Sequence, residues 1–481
     1  MILKDILLNV NTNKILGDTK IDISNLTCES NLITKGCLFI CIQGERYDGH
    51  LFVRQAELYG ASAIVCEKEL NTTLTQIIVD DSRETMSIIA QNFYDNPAKK
   101  LKIIGVTGTN GKTTTTHMIY RILEYCGVSC GVIGTLGAYY KNKIIDCKLT
   151  TPDPILFNKI LRDMVDDGIE VVAMEVSAHA CYYNKLYGIQ FEVGILTNIT
   201  RDHLDFFATM ENYIDAKKSF FDKYKIKYVV LNSDDKVSTS LKLNNKNILT
   251  YGIDNPADIF AINIKRQLNY TKFVINLFDC ISNVKLKLIG LFNIYNALAS
   301  LTAVSLVGVS PELAIKGLEG IGEIEGRLQR VYNGEYSIFV DYAHTPDSLE
   351  KALFTLKTYC SNNFICLFGC GGNRDSTKRS LMGEISGKIA DFTIITSDNP
   401  RFEEPMDIIH EIEKGIIKVT KKYIIIQDRE SAIEYGVKLL TKGDILLVAG
   451  KGSEKYQEVL GIKKPFDDYS TIIEKLQGKE I

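Results

Sequence analysis

The sequence lacks the features that would place the chain in a membrane, in a secretory pathway or on nucleic acid. No apolar run in its 481 residues approaches the length of about 20 residues that a membrane-spanning helix needs. The first five residues lack a basic stretch followed by an apolar core, so no signal peptide is expected. The formal net charge is only −3, which argues against nucleic-acid binding driven by overall charge. We therefore expect a cytoplasmic protein that meets anionic ligands with local basic residues.

Patterns for zinc sites and disulfide frameworks are also missing. The 12 cysteines are scattered, without a C-x-x-C pair and without histidine partners at zinc-ligand spacing. We expect them to be reduced and mostly buried thiols, as in cytosolic proteins. With 45% hydrophobic and 24% charged residues the composition is that of an ordinary globular protein.

What the sequence does contain is a glycine-rich turn between a predicted strand and a predicted helix, over residues 103–114. Glycines let backbone N–H groups approach phosphate oxygens, and the N-terminus of the following helix adds a favourable partial charge. Lys112 would reach the outer phosphates, and the Thr113 hydroxyl would complete the ligand shell of a Mg²⁺ ion. Val106 replaces the first glycine of the usual spacing, but the stretch still predicts a nucleotide phosphate site.

The order of predicted strands and helices divides the chain into three α/β domains. Residues 1–100 form a smaller N-terminal domain, which ends at a turn signal around Pro97. Residues 101–330 form a doubly wound parallel sheet around the glycine-rich turn. Residues 331–481 alternate strand and helix, and they predict a second, Rossmann-like sheet.

Polar residues after two predicted strands of the central domain are further candidates for the phosphate site. Glu175 follows the strand over 169–174, and His203 lies in the polar segment after the strand over 191–197. Ligands of open α/β sheets bind beyond the carboxyl ends of the strands, so both side chains would lie near Lys112 and could orient Mg²⁺. On the residues alone, a capping acid and a hydrogen-bonded turn histidine are equally good interpretations.

Four polar loops follow predicted strands of the C-terminal domain, over residues 341–347, 371–375, 398–401 and 450–454. The carboxyl ends of parallel strands share one edge of a sheet, so these loops are expected to lie together. They predict a small-molecule site that faces the central domain.

Together these motifs resemble those of the Mur ligase family, the ATP-dependent amide ligases of peptidoglycan precursor synthesis. The resemblance runs through essentially the whole chain and rests on residues 107–114, 149–152, 175–177, 202–205, 290–297, 326–327 and 341–347. The motifs are most similar to those of members that join a third stem-peptide residue to UDP-N-acetylmuramoyl-L-alanyl-D-glutamate. The resemblance thus implies a role in cell wall biogenesis, cell shape and cell division.

Members of this family phosphorylate a substrate carboxylate with ATP, and an incoming amine then attacks the acyl phosphate. Catalysis of this kind is mostly positioning and charge neutralisation. The resemblance implies that Lys112 is a catalytic phosphate-binding residue and that Thr113, Glu175 and His203 serve two Mg²⁺ ions. It further implies ATP contacts by Gly108, Thr109, Asn110, Gly111, Thr114, Asn296, Arg327 and Asp341.

Lys217 is singled out by the resemblance alone. On its own residues it is a solvated surface lysine of a helix. The matching lysine of the family is carbamylated, because a neutral, desolvated amine can take up CO₂ and become an anionic oxygen ligand for the second Mg²⁺. We expect the same carbamate on Lys217.

The resemblance also implies which residues bind the UDP-sugar substrate. They are Ser30, Thr150, Thr151, Ser177 and Lys185. The sequence departs from the usual family motifs at Asn31, Ala178, Tyr183 and Lys185. A lysine in place of the usual arginine keeps the charge but loses the bidentate donor fork.

The loop Asp398-Asn399-Pro400-Arg401 matches the motif of family members that add meso-2,6-diaminopimelate. Diaminopimelate carries a second carboxylate, to which Arg401 and Arg379 can offer planar donor forks. The resemblance implies that the distal amino-acid end meets Asn399, Gly450 and Glu454, with Glu454 pairing with the ammonium. The alternative interpretation of Arg401 is a surface arginine at a helix start.

Other functions remain open at this point. A ligase of the same mechanism could use L-lysine or another diamino acid. A folylpolyglutamate synthetase would share the nucleotide domain, but the 398–401 loop and the N-terminal domain argue against it. The departures at Asn31, Ala178 and Lys185 suggest a non-catalytic ATP-binding regulator, against which the complete set of residues for acyl-phosphate chemistry argues. We expect a monomer that binds no nucleic acid and does not insert into a membrane.

Overall fold

The computed structural model describes residues 1–44, 47–244 and 247–478. In this part of the chain three large β-sheets follow one another in sequence, and helices flank each of them. The predicted α/β fold class is therefore confirmed. The three sheets with their helices are called the N-terminal, central and C-terminal units below. The predicted domain boundaries stay a prediction, and residues 479–481 of the last range lie outside the described residues.

The N-terminal sheet contains β1 (Lys14–Leu16), β2 (Asn25–Thr27), β3 (Cys37–Ile40), β4 (Ala63–Cys66) and β5 (Thr75–Ile78), and its helices are α1 (Leu3–Ile6), α2 (Val53–Leu58) and α3 (Ser82–Phe93). In the order β1-β5-β4-β3-β2, β1 alone is antiparallel to its neighbour. Strands β3 and β4 are buried at every position. A 3₁₀ turn over Gly49–Phe52 directly precedes α2.

The central sheet contains β6 (Lys102–Thr107), β7 (Cys130–Gly134), β8 (Gly137–Tyr140), β9 (Lys143–Ile145), β10 (Val171–Glu175), β11 (Gln190–Leu196), β12 (Lys225–Asn232), β13 (Ile248–Gly252), β14 (Ile259–Gln267), β15 (Tyr270–Leu277) and β16 (Cys280–Leu286). Its helices are α4 (Lys112–Tyr125), α5 (Pro154–Asp166), α6 (Ala178–Tyr182), α7 (Leu204–Phe207), α8 (Met210–Lys223), α9 (Lys236–Ser240), α10 (Leu291–Leu306) and α11 (Pro311–Gly320).

Seven neighbouring strands of the central sheet are parallel, in the order β7-β10-β6-β11-β12-β13-β14. Antiparallel strands β8, β9, β15 and β16 extend the two edges. The strand before the glycine-rich turn, β6, lies between β10 and β11, with Glu175 paired to Val106 and Leu196 paired to Thr107. The register therefore brings the segments after β6, β10 and β11 to one point of the sheet edge.

The C-terminal sheet contains β17 (Gln329–Asn333), β18 (Ser337–Asp341), β19 (Phe364–Phe368), β20 (Phe392–Ile395), β21 (Tyr423–Ile425) and β22 (Ile445–Ala449), followed by the hairpin β23 (Tyr456–Val459) and β24 (Ile462–Pro465). Its helices are α12 (Pro346–Lys357), α13 (Thr377–Ile389), α14 (Pro405–Ile416), α15 (Arg429–Leu439) and α16 (Asp468–Gln477). The order is β17-β18-β22-β19-β20-β21, with β17 alone antiparallel to its neighbour. Helix α14 opens at Pro405, a position where a helix needs no backbone N–H donor.

The core of each unit lies between its sheet and its helices. Strands β6, β10 and β22 are almost entirely buried, because helices cover both faces of a parallel sheet. All 12 cysteines are free thiols, most of them buried. None of the helices in the described ranges combines the length and the apolar character required to span a bilayer.

Specific polar contacts join the three units. From α3 of the N-terminal unit, Ser87 donates to the Lys185 carbonyl at 3.2 Å and Gln91 to the Tyr187 carbonyl at 2.7 Å. Between the other two units, Arg201 donates to Thr377 Oγ1 at 2.6 Å. The strand ends of the central and C-terminal sheets consequently face each other.

Candidate active site

The turn after β6 is so compact that two of its positions require glycine. Gly108 has φ +142° and Gly111 has φ +89°, backbone angles that residues with a side chain rarely adopt. A Cβ atom at Gly108 would lie 1.9 Å from Thr197 Oγ1, and one at Gly111 would lie 2.5 Å from Asn296 Oδ1. The turn therefore packs directly on two polar side chains and keeps the shape in which backbone N–H groups can approach phosphate oxygens.

Two cations lie at the start of α4. The Lys112 ammonium donates to the carbonyls of Gly108 and Thr109, both at 2.9 Å, and burial lowers its pKa. The Arg327 guanidinium reaches across from the β17 side and donates to Thr113 Oγ1 at 2.9 Å. Lys112 and Arg327 thus converge on the glycine-rich turn, as expected for a site that neutralises phosphate charge.

The remaining predicted ATP residues surround this turn. Asn110 donates to Asp347 at 2.8 Å, and Thr114 is buried in α4. The Asp341 carboxylate accepts from the backbone N–H groups of Leu328 and Ala343 at 2.6 and 2.8 Å. Burial raises the pKa of Asp341 to about 6, although the nearby Arg327 opposes the shift.

Glu175 is the last residue of β10, next to the turn, and His203 lies beyond the end of β11. Glu175 is 1% exposed, and its carboxylate accepts from the Thr135 N–H at 2.8 Å and from Thr135 Oγ1 at 3.1 Å. His203 adopts the left-handed conformation with φ +54°, and the burial of its imidazole lowers its pKa. A neutral imidazole of this kind can act as a ligand or an orienting group.

Lys217 is not a solvated surface lysine. It is 2% exposed, and its Nζ donates to the Gly108 carbonyl at 2.7 Å. Burial lowers its pKa well below the usual range, and the charge of Lys112 adds to this effect. The structure therefore places a buried amine directly against the phosphate turn, and the lowered pKa favours its neutral form.

The predicted metal ligands suit Mg²⁺, and they do not suit a metal whose ligands all come from the protein. These residues are Thr113, Glu175, His203 and Lys217. Over the described ranges no three or more His, Cys, Asp or Glu residues converge as a metal centre. Mg²⁺ is usually held by one or two carboxylates together with substrate phosphates and waters, and it does not need such a cluster. A carbamate on Lys217 would add the anionic oxygens that this set lacks.

Three of the five residues predicted to hold the UDP-sugar substrate, Thr150, Thr151 and Ser177, are brought together near the end of β10. Thr151 is buried and donates to the Glu175 carbonyl at 2.8 Å, while Ser177 Oγ accepts from the Ala180 N–H at 3.1 Å. Thr150 contacts the Thr135 hydroxyl at 3.2 Å. Ser30 opens a 3₁₀ turn of the N-terminal unit, where its carbonyl accepts from Gln55 Nε2 at 3.2 Å.

Two departures from the usual motifs lie where the N-terminal unit meets this group. Lys185 forms an ion pair with Asp153 at 2.6 Å. The guanidinium of Arg83 from α3 stacks 4.3 Å from the centre of the Tyr183 ring and donates to the Gln43 carbonyl at 2.8 Å. The Arg83 guanidinium thus lies between Tyr183 and the Gln43 carbonyl.

The 398–401 loop and the loop after β22 meet at the end of the C-terminal sheet. Asn399 Nδ2 donates to Glu454 Oε2 at 2.6 Å. Gly450 has φ +110°, and a Cβ atom there would lie 2.6 Å from Asp398 Oδ2. After Pro400, Arg401 donates to the Gly372 carbonyl at 2.8 Å and lies 3.5 Å from Glu458. Arg401 belongs to this loop and not to a helix start.

Arg379, the other arginine predicted to bind the second carboxylate, is held by acidic side chains in this structure. It is 1% exposed, and its guanidinium is bound by Glu403 at 2.8 Å and by Glu411 at 3.0 Å. Its Nη2 also donates to the Gly371 carbonyl at 3.3 Å, so both ends of the fork are paired inside the protein. The exposed arginine of the same region is Arg374. A Cβ atom placed on Gly371 would lie 2.8 Å from Arg401 Nη1 and 3.9 Å from Arg374 Cγ, so both arginines lie next to Gly371.

Sequence reasoning missed several further residues of the site. Arg201 and Asp347 bridge the central and C-terminal units, and Lys378 is 7% exposed with its charge close to Asp202 and His344. Each belongs to or adjoins a polar segment after a strand, and this position is the feature of the sequence that could have identified it. The partners of Arg201 and Asp347 lie more than 100 residues away along the chain, so nothing in the sequence indicated these pairings.

The fold and the site define a class of protein: an α/β protein whose central sheet carries a P-loop and whose C-terminal unit contacts that loop through Asp347. Family models match most of the chain, namely the Mur ligase family catalytic domain over residues 22–106, the Mur ligase middle domain over 106–304 and the Mur ligase glutamate ligase domain over 326–452. The chain therefore belongs to the Mur ligase family.

Known proteins match over nearly the full length. The UDP-N-acetylmuramoyl-L-alanyl-D-glutamate–2,6-diaminopimelate ligase 1 of Clostridium acetobutylicum is 41% identical over 479 residues, covering 98% of both chains. A solved structure of a ligase with the same name, without the numeral, has 30% identity and a TM-score of 0.71, covering 100% of this chain and 99% of the other. The MurF ligase of Thermotoga maritima in complex with ADP shares the fold, with 20% identity, a TM-score of 0.65 and coverage of 95% and 97%.

Proposed function

We propose that this protein is an ATP-dependent ligase that adds meso-2,6-diaminopimelate to UDP-N-acetylmuramoyl-L-alanyl-D-glutamate in peptidoglycan precursor synthesis. The observation that carries the proposal is the position of the 398–401 loop, on the C-terminal sheet edge that faces the glycine-rich turn. The full-length similarity to diaminopimelate ligases supports the same substrate pair.

In the proposed reaction, the terminal carboxylate of the dipeptide attacks the γ-phosphorus of ATP and ADP leaves. The amine of the diamino acid then attacks the acyl carbon, and phosphate leaves as the C–O bond breaks. Lys112 and Arg327, which converge at Thr113 and the turn, neutralise phosphate charge in the first step. Asn110, Asn296 and Asp341 orient the nucleotide.

Magnesium would be held by Thr113, Glu175, His203 and the carbamate of Lys217, and it would supply charge neutralisation at the phosphates. The buried amine of Lys217 and the lowered pKa of both Lys217 and His203 support this assignment. In this arrangement Tyr213, whose ring centre lies 4.9 Å from Lys217 Nζ, keeps water from one side of the amine.

For the two organic substrates, we assign Ser30, Thr150, Thr151, Ser177 and Lys185 to the UDP-sugar. Arg401 together with Arg374, and not Arg379, would bind the second carboxylate of diaminopimelate through planar forks. Asp398, Asn399, Gly450 and Glu454 would receive its distal ammonium.

The proposed enzyme is a cytoplasmic monomer whose domains comprise residues 1–100, 101–330 and 331–481. Free thiols at all 12 cysteines support a reducing compartment.

The test is phosphate release from Mg-ATP with UDP-N-acetylmuramoyl-L-alanyl-D-glutamate, offering meso-diaminopimelate and L-lysine separately. Turnover with diaminopimelate alone is the expected result. Turnover with lysine alone would overturn the substrate assignment while keeping the ligase mechanism. A protein that binds ATP and turns over with neither amino acid would instead be a non-catalytic member of the family.

A further inference from the structure

Lys451 is completely enclosed beneath the loops of the amino-acid site, with 0% of its surface exposed. Its Nζ donates to the Tyr456 carbonyl at 2.6 Å, to Asn399 Oδ1 at 3.1 Å and to Glu454 Oε2 at 3.2 Å. A lysine ammonium has three donors, and all three are used here. Each N–H donor of the buried ammonium thus has an acceptor, and a protein tolerates a buried charge only when it is hydrogen-bonded in this way.

The ammonium determines how Asn399 is oriented. Because an ammonium only donates, it must face the amide oxygen, and Oδ1 also accepts from the Glu458 N–H at 2.9 Å. The amide nitrogen is thereby turned toward Glu454, to which it donates at 2.6 Å. Lys451 and Asn399 together hold Glu454 Oε2, so Glu454 Oε1 is the carboxylate oxygen left for a ligand.

The same ammonium balances the acidic charge of the site. The charged and titratable groups around Glu454 are Asp398, Lys451, Arg429 and Tyr342. Burial and the neighbouring Asp398 raise the pKa of Glu454, and Lys451 opposes this shift. Removing the cation would leave two buried carboxylates to disfavour each other's charge.

We propose that Lys451 is a positioning residue of the amino-acid site, whose ammonium holds Asn399 and Glu454 in the arrangement that receives the distal ammonium group of the diamino acid. This inference rests on the proposed function, since it takes the ligand from there. The alternative is that Lys451 only anchors the start of the β23–β24 hairpin through the Tyr456 carbonyl.

Lys451→Gln and Lys451→Met test the proposal by steady-state kinetics of phosphate release with each substrate varied in turn. A hydrogen bond to a charged group is worth about 1.5–3 kcal/mol, so the KM for diaminopimelate is expected to rise about 10- to 100-fold. The KM for ATP should stay at its wild-type value, because no ATP contact is touched. In both variants the KM for diaminopimelate should also rise more steeply toward low pH than in the wild type, as Glu454 becomes protonated without its cation.

Lys455→Met is the matched control, because it removes a lysine of the same segment that forms only exposed ion pairs, with Glu325 at 2.6 Å and Asp467 at 3.6 Å. It should keep the wild-type kinetics. The inference is overturned if both Lys451 variants keep the wild-type KM for diaminopimelate. It is equally overturned if they lose folding or ATP affinity together with diaminopimelate affinity, which would assign Lys451 to the hairpin alone. A wild-type protein without diaminopimelate turnover would instead show that the proposed function itself had failed.

Discussion

Arg429 and Asp468 form a fully enclosed bidentate ion pair, with Nε–Oδ1 and Nη2–Oδ2 distances of 2.7 Å and 0% exposure of either side chain. The same guanidinium donates to the Ala449 carbonyl at 2.9 Å and lies 3.4 Å from the Ser397 carbonyl. These carbonyls directly precede Gly450 and Asp398. One buried pair between α15 and α16 therefore ties together the strand ends that carry both loops of the amino-acid site.

Arg429→Met should lower the free energy of unfolding by about 3–5 kcal/mol, because it leaves the Asp468 carboxylate buried without its partner. Urea unfolding followed by circular dichroism measures the loss. The double variant Arg429→Met/Asp468→Leu should recover much of it, since apolar replacement of a whole buried pair is often neutral or stabilising. Lys438→Ala, which removes an exposed pair with Glu434, is the control and should cost less than about 1 kcal/mol. A loss of that small size in Arg429→Met would contradict the prediction.

Lys217 should carry a carbamate. Its lowered pKa keeps the amine neutral at pH values where an exposed lysine is charged, and CO₂ reacts with the neutral form. We expect a carbamate carbonyl signal after incubation with ¹³C-bicarbonate, which weakens as the pH falls and the amine becomes protonated.

Lys217→Met should lose this signal and most of the ligase activity, and a short carboxylic acid should restore part of the activity by supplying the missing oxygens. The neighbouring Lys218, which pairs with Asp222 at 3.5 Å on the exposed side of α8, offers the control variant Lys218→Met. Retention of the signal in Lys217→Met would place the carbamate elsewhere.

Local patterns predicted the phosphate turn well, because Gly108, Gly111, Lys112 and Thr113 act within one strand, one turn and one helix. The surroundings of Lys217 could not be predicted in that way. Tyr213, Phe220 and Phe221 share the buried face of its helix, but the polar partner of its amine is the carbonyl of Gly108, 109 residues earlier in the chain. The resemblance to a family, and not the residues themselves, pointed to this lysine.

The two arginines of the 371–379 region show the same limit. Arg374 and Arg379 are chemically equivalent in the sequence, and either could offer a donor fork to a carboxylate. Which of them is available depends on Glu403 and Glu411, which bind Arg379 from the start of the next strand–helix unit. Composition and spacing contain no information on that choice.

The roles of these arginines lead to opposite expectations for their variants. Arg401→Lys and Arg374→Lys should each raise the KM for diaminopimelate about 10-fold or more, because a lysine cannot form the bidentate fork. Arg379→Met should instead lower the free energy of unfolding, since it leaves Glu403 and Glu411 without their partner. Kinetics with varied diaminopimelate and urea unfolding of the same three proteins separate the two effects. A selective rise of this KM in Arg379→Met, with unchanged stability, would restore Arg379 to the binding site.

The contact between Asn110 and Asp347 should couple the phosphate turn to the C-terminal unit. The amide donates to the carboxylate at 2.8 Å across the two units, and a hydrogen bond to a charged group is worth about 1.5–3 kcal/mol. Asn110→Ala and Asp347→Ala should each lower kcat/KM for ATP, and the double variant should be little worse than either alone, because both remove the same bond. Asp347 also pairs with the half-exposed Lys351 at 2.9 Å, so Lys351→Ala serves as the control and should change kcat/KM little. Fully additive losses in the double variant would mean that the two residues act independently, and that the units are held together by other contacts such as Arg201 with Thr377.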